Sequence, residues 1–145
     1  MITTNFQITT EFDGQLPRVV LPNPDFFNYL GEEKFRSLIS RHYDILTESS
    51  VSHLFPKSKE ALEMAKSRSA DFFIQLMGGP DYYKQNRGEP MMRKRHMPFK
   101  IDMDARIVWL QSYQMALNEI EGVPAHFVQS YWTYLDKFSL WMINS

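Results

Sequence analysis

The chain has 145 residues, a net charge of −1 and no cysteine, with 43% hydrophobic and 23% charged residues. That length and composition predict one globular domain around a single core. The lack of cysteine excludes disulfides, thiolate metal sites, iron–sulfur clusters and cysteine nucleophiles, and the near-zero charge argues against a nucleic-acid binder.

Residues 1–22 are Thr-rich with two prolines and predict an extended arm. They hold no cationic start followed by an apolar run, so no signal peptide is expected. No apolar run anywhere reaches the length of a membrane span, and a cytoplasmic protein is expected. Asn23-Pro24-Asp25 reads as a helix start, with a capping Asn, Pro in the first turn and an acid beside it.

From Glu32 the apolar period becomes helical. Phe35, Leu38, Ile39, His42, Tyr43 and Leu46 share one face. His42 and Tyr43 are polar groups on a core-directed face, and each needs a partner there. A core tyrosine bonded to a backbone carbonyl is one reading of Tyr43. Val51–Phe55 is a short apolar turn stopped by Pro56.

A second helix is predicted over 59–77, with Leu62, Ala65, Ser69, Phe72, Phe73 and Leu76 on one face. Its small first half either meets another helix closely or leaves room for a guest. Gly78-Gly79-Pro80 ends it. Residues 81–89 read as polar loop. Pro90 is expected in the first turn of a short helix that must finish near His96, because Pro98 disfavours helical geometry at Met97. Asp102 should cap a long helix with Ala105, Val108, Trp109, Ser112, Ala116 and Ile120 on one face. Gly122 and Pro124 separate it from a last helix carrying Phe127, Val128, Tyr131, Tyr134, Leu135, Phe138 and Trp141. The predicted class is all-α.

Hydrolase and kinase chemistry finds little support. The four histidines, His42, His53, His96 and His126, include no i, i+4 pair and no HExxH. No serine sits in nucleophile-elbow text and no glycine-rich phosphate loop is present. What remains is an aromatic all-α chain, a helix face with missing volume, and His96 at a helix end within RKRHMPF. A haem needs that combination: one imidazole for its iron, cations or hydroxyls for its propionates, and a flat apolar slot. A surface histidine among cations fits the same text.

The stretch GGPDYY…RGEPMMRKRHMPF, with Trp109 following, resembles the group II truncated haemoglobins, from about Gly31 to the end of the last helix. The resemblance implies a two-over-two helical sandwich around haem b, with residues 1–28 an N-terminal extension and 29–145 the globin domain. It implies that His96 is the proximal ligand to iron, and that Tyr43 and Trp109 are distal donors to the bound gas. Ala65 takes the place where longer globins keep a distal histidine, with Ser69 one turn deeper. Phe55, Phe72 and Phe73 match haem-packing positions. Arg68, Arg95 and Tyr83 match propionate partners. The implied ligands are dioxygen, carbon monoxide and nitric oxide. The implied role is reversible gas binding, including oxygen transport, or alternatively nitric oxide dioxygenation or peroxidase-like turnover. An enzymatic cycle would need a separate reductase. His42 is expected to point away from the gas.

Overall fold

The computed structural model describes residues 4–145. Seven α-helices and one 3-10 turn make up its regular structure, with no strand among the described residues. The helices are α1 (Pro24–Leu30), α2 (Glu32–Thr47), α3 (Lys59–Leu76), α4 (Tyr82–Arg87), α5 (Met92–His96), α6 (Met103–Glu119) and α7 (Ala125–Leu140). The turn spans Ser52–Leu54.

Local chemistry sets most of these ends. The Asn23 side chain accepts from the Asp25 amide, Ser58 from Ala61 and Asp102 from Ala105, each satisfying a helix donor that has no partner inside its helix. At the end of α3, Gly78 adopts a φ of +84°, which a side chain disfavours. The Gly79 amide then returns to the Ile74 carbonyl at 2.9 Å. A Cβ on Gly79 would lie 2.7 Å from the Ile74 side chain, so the reversal tolerates no larger residue.

The helices form a two-over-two arrangement. α2 packs on α3 and on α6, α6 packs on α7, and α1 bridges α2 and α7. Where these layers meet, Phe35 is fully buried, with edge-on contacts to Phe26, Phe27 and Tyr131 at centroid distances of 6.4, 5.8 and 6.0 Å. Burying each such ring contributes about 1.5–3 kcal/mol.

Two expectations are corrected. Residues 82–87, read as loop, form α4. Its start is held by a bond from the Lys84 amide to the Gln75 side chain, and its end by Arg87 on Asp71 at 2.8 Å. Asp71 also binds Arg36 of α2 at 2.9 Å, so one buried carboxylate joins three helices. α5 begins at Met92, leaving Pro90 outside it, and Met91 enters it with a left-handed φ of 40°. The arm, of which residues 1–3 lie outside the described ones, carries no regular secondary structure over its described residues and is tied down onto α7 and the chain just after it. The Trp132 indole donates to the Gln7 carbonyl at 2.8 Å and Trp141 to the Pro17 carbonyl at 2.9 Å. Thr9 donates through its amide and its hydroxyl to Asp136 at 2.8 and 2.7 Å.

Candidate functional site

One cavity of about 440 Å³ opens between the two helix layers. Tyr43 of α2, the turn residues around Phe55, and Ala65 and Arg68 of α3 form one side. His96, Phe99, Ala105, Trp109 and Phe138 form the other. Ala65 is buried and contributes only a methyl group, so the small half of the α3 face leaves space there. The lining residues His53, Arg68 and Phe99 are exposed and mark where the cavity opens.

His96 ends α5 and is partly buried. Its Nδ1 lies 2.6 Å from the Met92 carbonyl oxygen one turn back. An imidazole in that contact donates from Nδ1 and keeps the Nε2 lone pair free, the state in which a histidine ligates a metal. Burial, reinforced by the Arg68 charge and opposed by the Met92 bond, lowers its pKa and favours the neutral ring. The loop after it is stapled to the C-terminal end of α7 by Asn144. That side chain donates to the His96 and Phe99 carbonyls at 3.2 and 2.8 Å and accepts from the Ile101 amide at 2.9 Å.

Across the cavity, Tyr43 meets Phe55 edge-on at 5.7 Å. Burial raises the Tyr43 pKa against the nearby Ser69 hydroxyl and the Arg68 charge, so the phenol keeps its proton and stays a donor. Trp109 is partly buried on α6, and His42, from inside the core, reaches its backbone carbonyl at 3.0 Å.

His96, Tyr43, Trp109, Phe55, Ala65 and Arg68 therefore share one cavity. Ser69 lies behind Tyr43 and outside the lining. Phe72 and Phe73 are buried in the core rather than on the cavity surface. Tyr83 is also buried away from the lining, and its hydroxyl has no hydrogen-bond partner. Arg95 stands apart from the cavity too. Its guanidinium donates to the backbone carbonyls of Pro90, Arg87 and Glu89 at 2.7, 2.9 and 2.9 Å and covers the Tyr83 ring. It supports the loop that carries the left-handed Met91.

Three residues of the site escaped the sequence reading. His53 lines the opening, but an isolated His in a turn gives no signal. Asn144 resembles any polar residue near a terminus. Arg106 lines the cavity wall yet is almost fully buried, which no charge on a helix face announces. It donates to Ser139 Oγ, the Thr9 carbonyl, and the carbonyl and carboxylate of Asp136 at 2.9, 2.6, 2.8 and 2.6 Å.

No cluster of three or more His, Asp or Glu side chains able to hold a metal ion exists among the described residues. A family model described as bacterial-like globin matches residues 25–144. The chain belongs to the bacterial-like globins. Over 105 residues it is 29% identical to the group 2 truncated haemoglobin YjbI of Bacillus subtilis, covering 70% of this chain and 77% of that one. It is 31% identical over 108 residues to two-on-two haemoglobin-3 of Arabidopsis thaliana, covering 72% of this chain but only 61% of that longer protein. Among solved structures, phosphate-bound Hell's gate globin IV superposes with a TM-score of 0.87 at 37% identity, covering 96% of this globin and 86% of that chain. These relatives place the protein with the group II truncated haemoglobins, as the GGP…RKRHMPF text implied.

Globin membership implies a haem, and the residues present fit one. The cavity walls are mostly apolar, and one neutral imidazole presents a free nitrogen at its edge. Arg68 stands at the opening without a carboxylate partner. No helix is long and apolar enough to cross a membrane.

Proposed function

We propose that this globin holds haem b through His96 Nε2 and binds dioxygen and other diatomic gases reversibly, with Tyr43 and Trp109 as hydrogen-bond donors to the ligand. The observation that carries this reading is the placement of His96 and the Tyr43–Trp109 pair on one apolar cavity. A bound haem supplies an iron with one coordination position left open for a gas. The chain supplies the rest. The Met92 carbonyl fixes the His96 tautomer, and Asn144 fixes the loop behind it. Arg68, at the cavity opening, would pair with a haem carboxylate. Tyr43 and Trp109 present neutral donors, and Ala65 leaves them room.

Among the described residues no carboxylate lines the cavity, and its histidines are His96, the proposed ligand, and His53 at the exposed opening, so the lining holds no histidine–carboxylate pair for turnover. This favours binding over the dioxygenase and peroxidase readings. The arm before α1 acts as an extension fastened to the globin domain, while residues 24–28 belong to α1 and its core contacts. The purified protein is expected to show a strong Soret band that shifts with carbon monoxide. His96→Ala is expected to lose haem unless imidazole is added. A variant with unchanged spectra would mean that another residue is the ligand.

A further inference from the structure

The cations of this chain are unevenly paired. Those that meet a carboxylate within 4.0 Å sit mainly on the helix layers. Of those that meet none, only Arg18 on the arm and Lys34 on α2 belong to other segments. The rest fall in two segments that carry cavity-lining residues: Lys57, Lys59 and Arg68 between the Phe55 turn and α3, with Arg68 at the opening, and Arg93, Lys94, Arg95 and Lys100 around His96 and Phe99, with the Arg95 guanidinium turned to its own loop. Residues 91–100 hold four cations and no acid in a chain of net charge −1, so the remainder carries −5. Positive charge is therefore concentrated in the segment that carries His96.

A haem brings only two carboxylates, so the unpaired cations of these two segments exceed what it can pair. Arg93, Lys94 and Lys100 are exposed and make no side-chain hydrogen bond. The same short segment also exposes apolar surface. Met91, Met97 and Phe99 keep 54%, 59% and 46% of their area in solvent, and Phe99 reaches from this surface into the cavity. An apolar centre ringed by unpaired like charges has the composition of a transient, electrostatically steered interface.

We propose that the Met91–Lys100 surface docks an acidic electron-donor protein, a reduced flavoprotein, and brings it beside the haem edge. This rests on the haem reading above. One electron passes from the flavin hydroquinone, which becomes the semiquinone, to ferric iron, which becomes ferrous; no bond forms or breaks. The chain's part is to orient the donor through charge, and Phe99 and His96 connect this surface to the cavity lining.

The test uses the ferric holoprotein and a flavodoxin of strongly acidic surface as the probe. Binding of oxidised flavodoxin is followed by NMR shift changes, and reduction by the hydroquinone form by stopped flow. Low-salt binding is expected to weaken at least about tenfold in the triple variant Arg93→Glu, Lys94→Glu, Lys100→Glu, and reduction to slow in parallel. Lys34→Glu is expected to change neither, and dithionite is expected to reduce all forms equally. Raising salt should mimic the triple variant in the wild type, because exposed charges are screened beyond the Debye length. Equal flavodoxin binding by the triple variant and wild type overturns the proposal. So does a patch that binds anionic phosphatidylglycerol vesicles but not flavodoxin. The Soret band of each variant is recorded first: a band lost in the wild type sinks the haem reading, whereas intact bands with unchanged docking sink only this inference.

Discussion

His42 Nε2 lies 3.0 Å from the backbone carbonyl oxygen of Trp109 while the His42 ring rests on Tyr113, centroids 3.8 Å apart. The imidazole thus donates across from α2 to α6, and its chain neighbour Tyr43 faces the cavity. His42 is not among the cavity-lining residues, and the sequence suggested only a small role for it. Its place on the Trp109 turn makes it a positioning residue. His42→Phe, which keeps a ring and loses the donor, is expected to cost about 1 kcal/mol of stability. It is also expected to speed oxygen release through a displaced Trp109. Chemical denaturation and stopped-flow release check both, and wild-type release rates in the variant would restore the smaller role.

Acid stability carries a second signature of the same residue. Burial lowers the His42 pKa from 6.5 to about 3 against the Trp109 bond. Below pH 6.5 the unfolded chain takes up a proton that the folded protein refuses. Stability should therefore fall as pH drops from 6.5 toward 3, by about 1.4 kcal/mol per pH unit from this residue. His42→Phe should flatten that slope relative to wild type. Parallel slopes between pH 6.5 and 4 would mean that the ring is protonated in the fold.

Asn144 is expected to influence haem retention from a distance. Removing its side chain frees the His96 and Phe99 carbonyls and the Ile101 amide. Asn144→Ala should keep His96 ligation, unlike His96→Ala, yet lose haem several-fold faster to an acceptor apoglobin. An unchanged transfer rate would show that the loop holds itself.

The two distal donors are expected to share one ligand. Each neutral hydrogen bond contributes about 0.5–1.5 kcal/mol, and about 1.4 kcal/mol is tenfold in an equilibrium. Tyr43→Phe and Trp109→Phe should each raise the oxygen dissociation rate several-fold, the double variant most, and carbon monoxide release should respond less. The two effects need not add. Stopped-flow release decides the matter, and rates unmoved in both single variants would remove the distal assignment.

Arg68 and Arg95 should part company. Arg68 stands at the opening, where an exposed ion pair contributes about 0.2–1 kcal/mol, so Arg68→Ala should speed haem loss only a few-fold. Arg95 binds three loop carbonyls. Arg95→Ala should lower resistance to urea more than Arg68→Ala does, with a smaller change in haem loss. The reverse ranking would return Arg95 to the propionates.

Much of this was legible because it is local. Asn23 and Asp102 cap the helices they precede, Gly78-Gly79-Pro80 stops α3, and Pro98 follows closely on the end of α5 at His96. The rest depends on partners far along the chain. The polar text of α4 is helical because Gln75 and Asp71 of α3 receive it. Arg106 is buried because Thr9, Asp136 and Ser139 together satisfy its donors. Arg95 sits one residue from His96 and reads as a rim cation, but its fork fits the carbonyls of the preceding loop better.

The fastening of the arm has a consequence for the order of assembly. Its partners, Gln129, Trp132, Asp136 and Trp141, lie more than 120 residues further along the chain. During synthesis residues 5–17 leave the ribosome well before their partners and can dock only once α7 has emerged. Until then Arg106 lacks both its Asp136 carboxylate and its Thr9 carbonyl, and a buried cation without them would be costly. Closure of the wall around Arg106 is therefore a late event in folding, set by the docking of the arm onto α7.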